Sequence, residues 1–355
     1  QQGHETIILN VPLQRAGAPR YKVKLIKRIK NKIHKILFKN ISNERYHRTK
    51  EQLRQDNKYA EQNMQLFDVF REKYFKNITH PYINEIDFVK DYPKADLYIV
   101  GSDQVWNLWV TNYQYPIFFL SFVKEGCKRI SYAACMGGDR NFQFRKDELE
   151  KMGTLLNKFD AISVRDSTSI NILERHFNIS AQQVLDPTFL VDSYDELLAD
   201  SNIDASGCMF NFKFIINDAW VEVIKLISSE LKLKIRMDTC LIPIKGLPFH
   251  PLCSVQDWLK LIKTSDFVFT DSFHGMVFCI LFKKQFIATP SYKGGEERYM
   301  DLAAKLGLED RVFSNVNDVL ASKVWTKKID YENVYEKLES MRDVSRSFLI
   351  KQLCK

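Results

Sequence analysis

The sequence predicts an α/β protein with parallel sheets, built as two blocks. Three observations carry this. Short apolar runs alternate with helical patterns along most of the chain, as parallel strands joined by crossover helices require. Polar or glycine-containing turns follow many of those runs, as at the ligand-binding edge of an open α/β sheet. Near the middle, Leu185-Asp186-Pro187-Thr188 breaks the alternation, because proline disfavours helix for the residue before it and cannot donate to a strand ladder. A chain of 355 residues is long enough for two domains of ordinary size.

The first block is expected to span 1–191, with strands at 6–10, 97–101, 129–134, 161–164 and 183–185. Helical patterns, with apolar residues recurring every three or four positions, fill 146–159 and 167–176. A basic helical insertion occupies about 20–75, and its polar stretch 43–71 reads as helix. The second block is expected over 192–355. It opens on a polar helix and loop, then shows strands at 209–216, 234–237, 266–270 and 285–288. Helices fit 220–231, 255–264, 275–282 and 299–306, and a helical tail at 334–354 can pack back across either block. Gln1-Gln2-Gly3-His4-Glu5 reads as the end of a helix feeding the first strand, so at least one further strand and helix are expected ahead of it.

No run approaches the roughly 20 apolar residues of a membrane span, and no signal-peptide pattern is present. Seven cysteines form no CxxC pair and no Cys/His cluster with zinc spacing, so reduced thiols, a cytoplasmic location and no metal are expected. Cys135 and Cys279 lie in apolar contexts and read as core. The net charge of +8 is local: the segment from Arg20 to Lys39 holds nine Lys/Arg and no acid, leaving the remaining chain close to neutral. Leu25, Ile26, Ile29, Ile33, Ile36 and Leu37 recur there at helical spacing. An apolar stripe with a cationic face fits a helix lying on an anionic membrane surface; a helix docked on its own domain is the alternative. No motif points to nucleic acid.

Candidate chemistry sits in the turns after strands. Thr270-Asp271-Ser272-Phe273-His274-Gly275 reads as strand, tight turn, helix, with Ser272 as N-cap and His274 in the first helical turn. Free N–H groups and the positive dipole end favour an anion there. A core histidine at a helix start fits the turn equally well. Gly101-Ser102-Asp103-Gln104-Val105-Trp106-Asn107 offers a glycine turn, polar groups and a ring suited to stacking on a sugar, with an Asx-type turn around a buried Trp as the alternative. Arg165 ends an apolar strand and suits a carboxylate or phosphate, with a structural ion pair to Asp166 or Asp160 as the alternative. Gly137-Gly138 reads by itself as a plain turn, though it would let a ligand approach the backbone, and Arg298 closes a polar glycine loop that reads by itself as solvated charge.

These segments, together with Ser131-Tyr132-Ala133-Ala134, Leu185-Asp186-Pro187-Thr188 and Arg298…Asp301-Leu302…Leu306-Gly307-Leu308, occur in one order that resembles the polysaccharide pyruvyl transferase family. The resemblance runs from about residue 6 to 312, although the family's first strand and its Asn/Gly-containing turn are not in this chain. It implies two Rossmann-like domains with a central cleft, a glycosyltransferase-B-like arrangement. It also implies transfer of a pyruvyl group from phosphoenolpyruvate to sugar hydroxyls, with no cofactor. On that basis Arg165, Ser272, Phe273, His274, Gly275 and Arg298 are expected to bind the donor, with His274 and Arg165 catalytic. Ser102, Asp103, Gln104, Trp106 and Asn107 are expected to face a sugar acceptor, carried on a lipid or polymer. His274 would move a proton or contact phosphate. A nucleotide-sugar glycosyltransferase and a non-catalytic carbohydrate-binding relative share the architecture.

Overall fold

Two four-stranded parallel sheets carry the molecule. The computed structural model describes residues 4–13, 50–139, 144, 146–214, 216–238, 244, 246–290 and 295–354. The basic segment from Arg20 to Lys39 and residues 291–294 therefore lie outside the described residues.

The strands are β1 (Ile8–Asn10), β2 (Ile78–Pro81), β3 (Leu97–Val100), β4 (Lys128–Ala134), β5 (Ala161–Val164), β6 (Gln182–Gln183), β7 (Cys208–Phe212), β8 (Lys234–Met237), β9 (Phe267–Thr270) and β10 (Gln285–Ala288). The first sheet runs β3-β4-β5-β6 and the second β10-β9-β7-β8, while β1 and β2 form a separate parallel pair. The helices are α1 (Lys50–Tyr74), α2 (Glu85–Lys90), α3 (Leu108–Thr111), α4 (Tyr115–Phe118), α5 (Lys146–Leu156), α6 (Ser167–Phe177), α7 (Asp195–Ala199), α8 (Asp218–Leu231), α9 (Val255–Thr264), α10 (Phe273–Leu281), α11 (Glu297–Leu306), α12 (Val316–Ser322) and α13 (Tyr331–Leu353). This is the parallel α/β architecture of paired Rossmann-like domains.

All of β9 is buried because helices cover both faces of its sheet. Phe210, Val268, Met276, Ile280 and Phe286 pack on one face; Trp220, Ile224, Ile227, Phe269 and Ile287 pack on the other. The first sheet has its own core around Trp106, Met152, Val164, Ile172 and Leu173. Side-chain oxygens cap the helices that follow strand ends: Asp166 for α6, Asn217 for α8, Ser272 for α10.

Two strands stop two or more residues short of their expected ends. β7 ends at Phe212 rather than 216 because the Phe214 N–H turns to the Asp271 carboxylate, at 2.9 Å. β6 ends at Gln183 rather than 185 because the Leu185 N–H donates to Ser345 Oγ, at 2.9 Å. β2 and α2 fall in a stretch where the sequence suggested no element.

Two long helices cross between the halves. α1 lies against residues of the second half: Asn63 Nδ2 donates to the Pro251 carbonyl at 2.7 Å, and Lys73 and Tyr74 reach Asp200. α13 returns to the first half, where Arg342 Nε donates to the Phe189 carbonyl at 2.8 Å and Phe348 packs with Ile130, Tyr132 and Val184. Among the described residues no helix is long and apolar enough to cross a membrane.

Candidate active site

The carboxyl ends of β4, β5 and β6 meet the turn after β9. Gly101, just past β3, has φ +129°, and a Cβ there would fall 1.9 Å from the Tyr132 carbonyl oxygen. Only glycine lets the following loop lie this close to β4. The Cys135 N–H then donates to the Asp103 carbonyl at 2.9 Å, pinning the loop across the end of β4. Arg165, one residue beyond β5, is held by its own N–H on the Ala134 carbonyl at 3.0 Å. Asp186 follows β6 and starts a short 3₁₀ turn: its Oδ1 accepts from Thr188 N at 3.1 Å and Thr188 Oγ1 at 2.8 Å. Its other oxygen is left for the site.

That oxygen, Asp186 Oδ2, gathers three groups. Arg165 Nη1 lies 2.7 Å away, Ser102 Oγ donates at 3.0 Å, and His274 Nε2 stands at 3.6 Å. Arg165 uses its other terminal nitrogen on Asp103 Oδ1, at 3.1 Å. Arg298, at the start of α11, brings Nη1 within 3.7 Å of the same Asp103 oxygen. Both guanidiniums lie against the Phe273 ring, at 4.6 and 5.3 Å from its centroid, where the ring face favours cations. The cluster thus takes Asp103, Arg165 and Asp186 from the first half and Phe273, His274 and Arg298 from the second.

The charges support one another. Burial works against ionisation of Asp186, but the His274 contact and the Arg165 guanidinium overcome it and hold the carboxyl far below its usual range. Burial likewise opposes the charge on Asp103; Arg165, His274 and Arg298 together keep that carboxyl low. The two carboxylates differ in access. The Asp186 side chain is buried, whereas that of Asp103 is 59 % exposed and that of His274 38 %. A buried Arg–Asp pair is therefore overlaid by one exposed carboxylate and one accessible imidazole, with the partly buried Arg298 guanidinium beside them.

The sequence expectations divide accordingly. Arg165, Phe273, His274 and Arg298 come together. Arg165 does make an ion pair, but with Asp186 and Asp103 rather than Asp166 or Asp160; Asp166 caps α6, and Asp160 Oδ2 accepts from the Arg129 N–H at 2.8 Å. Ser102 and Asp103 join the charge cluster. Ser272 Oγ accepts from the Gly275 N–H at 3.1 Å, so it shapes the turn as the helix cap. Gly275 is required by packing: a Cβ there would meet Thr270 Oγ1 at 2.5 Å.

Trp106 is a correction. Its ring is fully buried, stacked on Phe119, with Nε1 donating to the Phe118 carbonyl at 2.9 Å, so it presents no face to a sugar. The exposed ring of this region is Trp109. Asn107 is a second correction: it is buried, caps α3 through Trp109 N, and donates Nδ2 to Gln104 Oε1 at 2.5 Å. Asp186 is a site residue that the sequence marks only through the break at Leu185-Asp186-Pro187-Thr188 and its place in the ordered segments; it stands just past the strand expected at 183–185. Among the described residues no group of three His, Cys, Asp or Glu could hold a metal ion.

The profile of the family described as polysaccharide pyruvyl transferase matches residues 23–291, more than half of the chain. The chain belongs to the polysaccharide pyruvyl transferase family. That membership makes it a transferase of the polysaccharide-modifying class. Among curated proteins none matches the sequence. Solved structures with a similar course of chain include a UDP-N-acetylglucosamine 2-epimerase from Rickettsia bellii, 12 % identical with a TM-score of 0.49, covering 76 % of each chain. A protein named as the same enzyme from Listeria monocytogenes is 9 % identical, TM-score 0.48, over 79 % of this chain and 80 % of that one. The wall teichoic acid polymerase TagF is 11 % identical, TM-score 0.41, over 91 % and 93 %.

Proposed function

We propose that the chain transfers a pyruvyl group from phosphoenolpyruvate to two hydroxyls of one sugar in a polysaccharide or lipid-linked oligosaccharide, giving a cyclic ketal and phosphate. The observation that carries this reading is the convergence of Arg165 and Arg298 on one exposed carboxylate, Asp103, with His274 beside them on Asp186. The donor carries a carboxylate and a phosphate. Arg165 is already matched by buried Asp186, so a donor anion takes the place of Asp103, regaining charge-assisted contacts to both guanidiniums while Asp103 swings to solvent. Family membership supports the reaction class.

The chemistry balances as follows. The methylene carbon of the enol gains a proton and becomes a methyl group. A sugar hydroxyl adds to the neighbouring carbon and loses its proton. The bond from that carbon to the phosphate oxygen breaks, and a second hydroxyl closes the ketal and loses its proton. His274 is placed for the proton steps: its ring is accessible, and the Asp186 carboxylate stands 3.6 Å from Nε2. The basic segment from Arg20 to Lys39 would keep the enzyme at an anionic membrane face on the cytoplasmic side, where a lipid-linked acceptor is presented.

Incubation with phosphoenolpyruvate and a panel of cell-surface oligosaccharides tests this. Inorganic phosphate released only when both are present, with a new ketal methyl signal in the product, is expected. Turnover of a uridine-diphosphate sugar without response to phosphoenolpyruvate would replace this reading with glycosyl transfer. Sugar binding without turnover of either donor would indicate a non-catalytic relative.

A further inference from the structure

Arg298 reaches the charge cluster from the first turn of α11, and no side chain caps that turn among the described residues. α6, α8 and α10 each begin on a side-chain oxygen that accepts from a backbone N–H. At the start of α11, Glu296 has helical dihedrals and makes no such capping bond. An uncapped helix end leaves its first N–H groups without intrahelical partners and frays readily. Arg298 nevertheless stands at a defined place, with Nη1 3.7 Å from Asp103 Oδ1 and the guanidinium 5.3 Å from the Phe273 ring centroid. Another group has to fix the turn.

The next residue does so. Tyr299 is 3 % exposed, and its hydroxyl donates to the Asp271 carbonyl at 2.7 Å. Its ring meets that of Phe273 edge to face, with centroids 5.4 Å apart and planes at 89°. The Arg298 guanidinium lies 5.5 Å from the Tyr299 ring centroid, so it is flanked by two aromatic rings that favour a cation. Burial pushes the phenol up to about 12, against the pull of Arg298, so the hydroxyl keeps its proton and stays a donor. Its acceptor is itself anchored. The Asp271 N–H donates to the Phe212 carbonyl at 3.2 Å, and the Asp271 carboxylate accepts from the Phe214 N–H at 2.9 Å and stands 3.5 Å from Lys213 Nζ. Asp271 directly precedes Ser272, the cap of the helix that presents His274. Tyr299 thus ties the start of α11 to the turn after β9, while Asp301 further along α11 ties the same helix to Ser167 and Gln183 of the first half.

Packing alone does not ask for the hydroxyl, because phenylalanine would keep the ring contacts. A tyrosine buried here needs a partner for its O–H, and the partner is the backbone of the turn that carries Phe273 and His274.

We propose that Tyr299 is a positioning residue for anion binding: its hydroxyl, bonded to the Asp271 carbonyl, fixes the first turn of α11 and holds Arg298 over Phe273, where it meets the anion together with Arg165 and His274. The identity of the anion rests on the pyruvyl-transfer reading; the positioning does not.

Calorimetric titration with phosphoenolpyruvate and, separately, with inorganic phosphate tests this on the wild type, Tyr299→Phe, Arg298→Ala and the double variant. The ring stays in Tyr299→Phe, so the variant is expected to fold, which melting curves verify. Its affinity for phosphoenolpyruvate is expected to fall about fivefold to tenfold. In the Arg298→Ala background the same substitution is expected to change the affinity less than about twofold, because the group it positions is gone. An equal loss in both backgrounds would make Tyr299 act independently of Arg298, and no loss in either would make its hydroxyl dispensable; each result overturns the proposal. Phosphate bound as tightly as phosphoenolpyruvate, with the same dependence on Arg298, keeps the role of Tyr299 and discards the donor assignment. Binding of neither anion by the wild type overturns both.

Discussion

Arg165 and Asp186 are buried together, 2.7 Å apart, so removing either partner strands a charge away from water. Asp186→Asn is expected to lower stability by about 3 kcal/mol in chemical denaturation; a loss within experimental error would show the pair to be replaceable. The pair also leaves a signature in acid. Because the folded Asp186 carboxyl lies below its unfolded value, its contribution is complete above about pH 4 and drains away as pH falls toward the folded value. Stability of the wild type should therefore fall more steeply below pH 4 than that of Asp186→Asn, and parallel curves would contradict this. His274 and Arg165 were legible in the sequence because each stands at a strand end in a residue type with evident chemistry. For Trp106 the alternative of a buried indole holds, and the polar loop around it does not decide between the two. Only packing shows that its ring is stacked on Phe119 in the core of the first sheet.

At the scale of elements, β5, β8, β10 and α9 fall where periodicity and turn residues put them. Strand ends were harder, because tertiary acceptors decide them: Asp271 draws the Phe214 N–H off the course of β7, and Ser345 draws the Leu185 N–H off β6. Neither acceptor is near its donor in sequence. The turn into α10 shows how an element aims a side chain. Ser272 caps it, Thr270 Oγ1 accepts from Ser272 N at 3.0 Å, and Gly275 packs against Thr270. Gly275→Ala forces that turn open and is expected to cost about 1–3 kcal/mol while displacing His274 and lowering turnover. Melting curves and initial rates check both parts. Unchanged stability would mean that Thr270 can move aside.

For the whole molecule, the two halves are tied by more than their charge cluster. Asp301 on α11 accepts from Ser167 Oγ and Gln183 Nε2, each at 2.7 Å, and α1 and α13 cross in opposite directions. The alternation of strands and helices announced two sheets, but not that long helices would be exchanged between them, since amphipathic spacing gives a face without naming its partner. The basic segment offers a prediction at this scale. The chain should co-sediment with vesicles containing anionic lipid, less so as salt rises, and not with neutral vesicles. Equal pelleting with both would rule out an electrostatic anchor.

The central claim is that Arg298 and His274, presented from the second half to the Asp103–Arg165–Asp186 group of the first, bind phosphoenolpyruvate. The most direct measurement is thermal stability with and without that compound, beside a uridine-diphosphate sugar, in the wild type, Arg298→Ala and His274→Ala. At about 100 times its dissociation constant a ligand adds roughly 2.7 kcal/mol to the folded state. The account predicts such a shift with phosphoenolpyruvate in the wild type and its reduction in both variants, which fold normally and show no turnover. A shift with the nucleotide sugar alone, or a phosphoenolpyruvate shift undiminished in both variants, would contradict it.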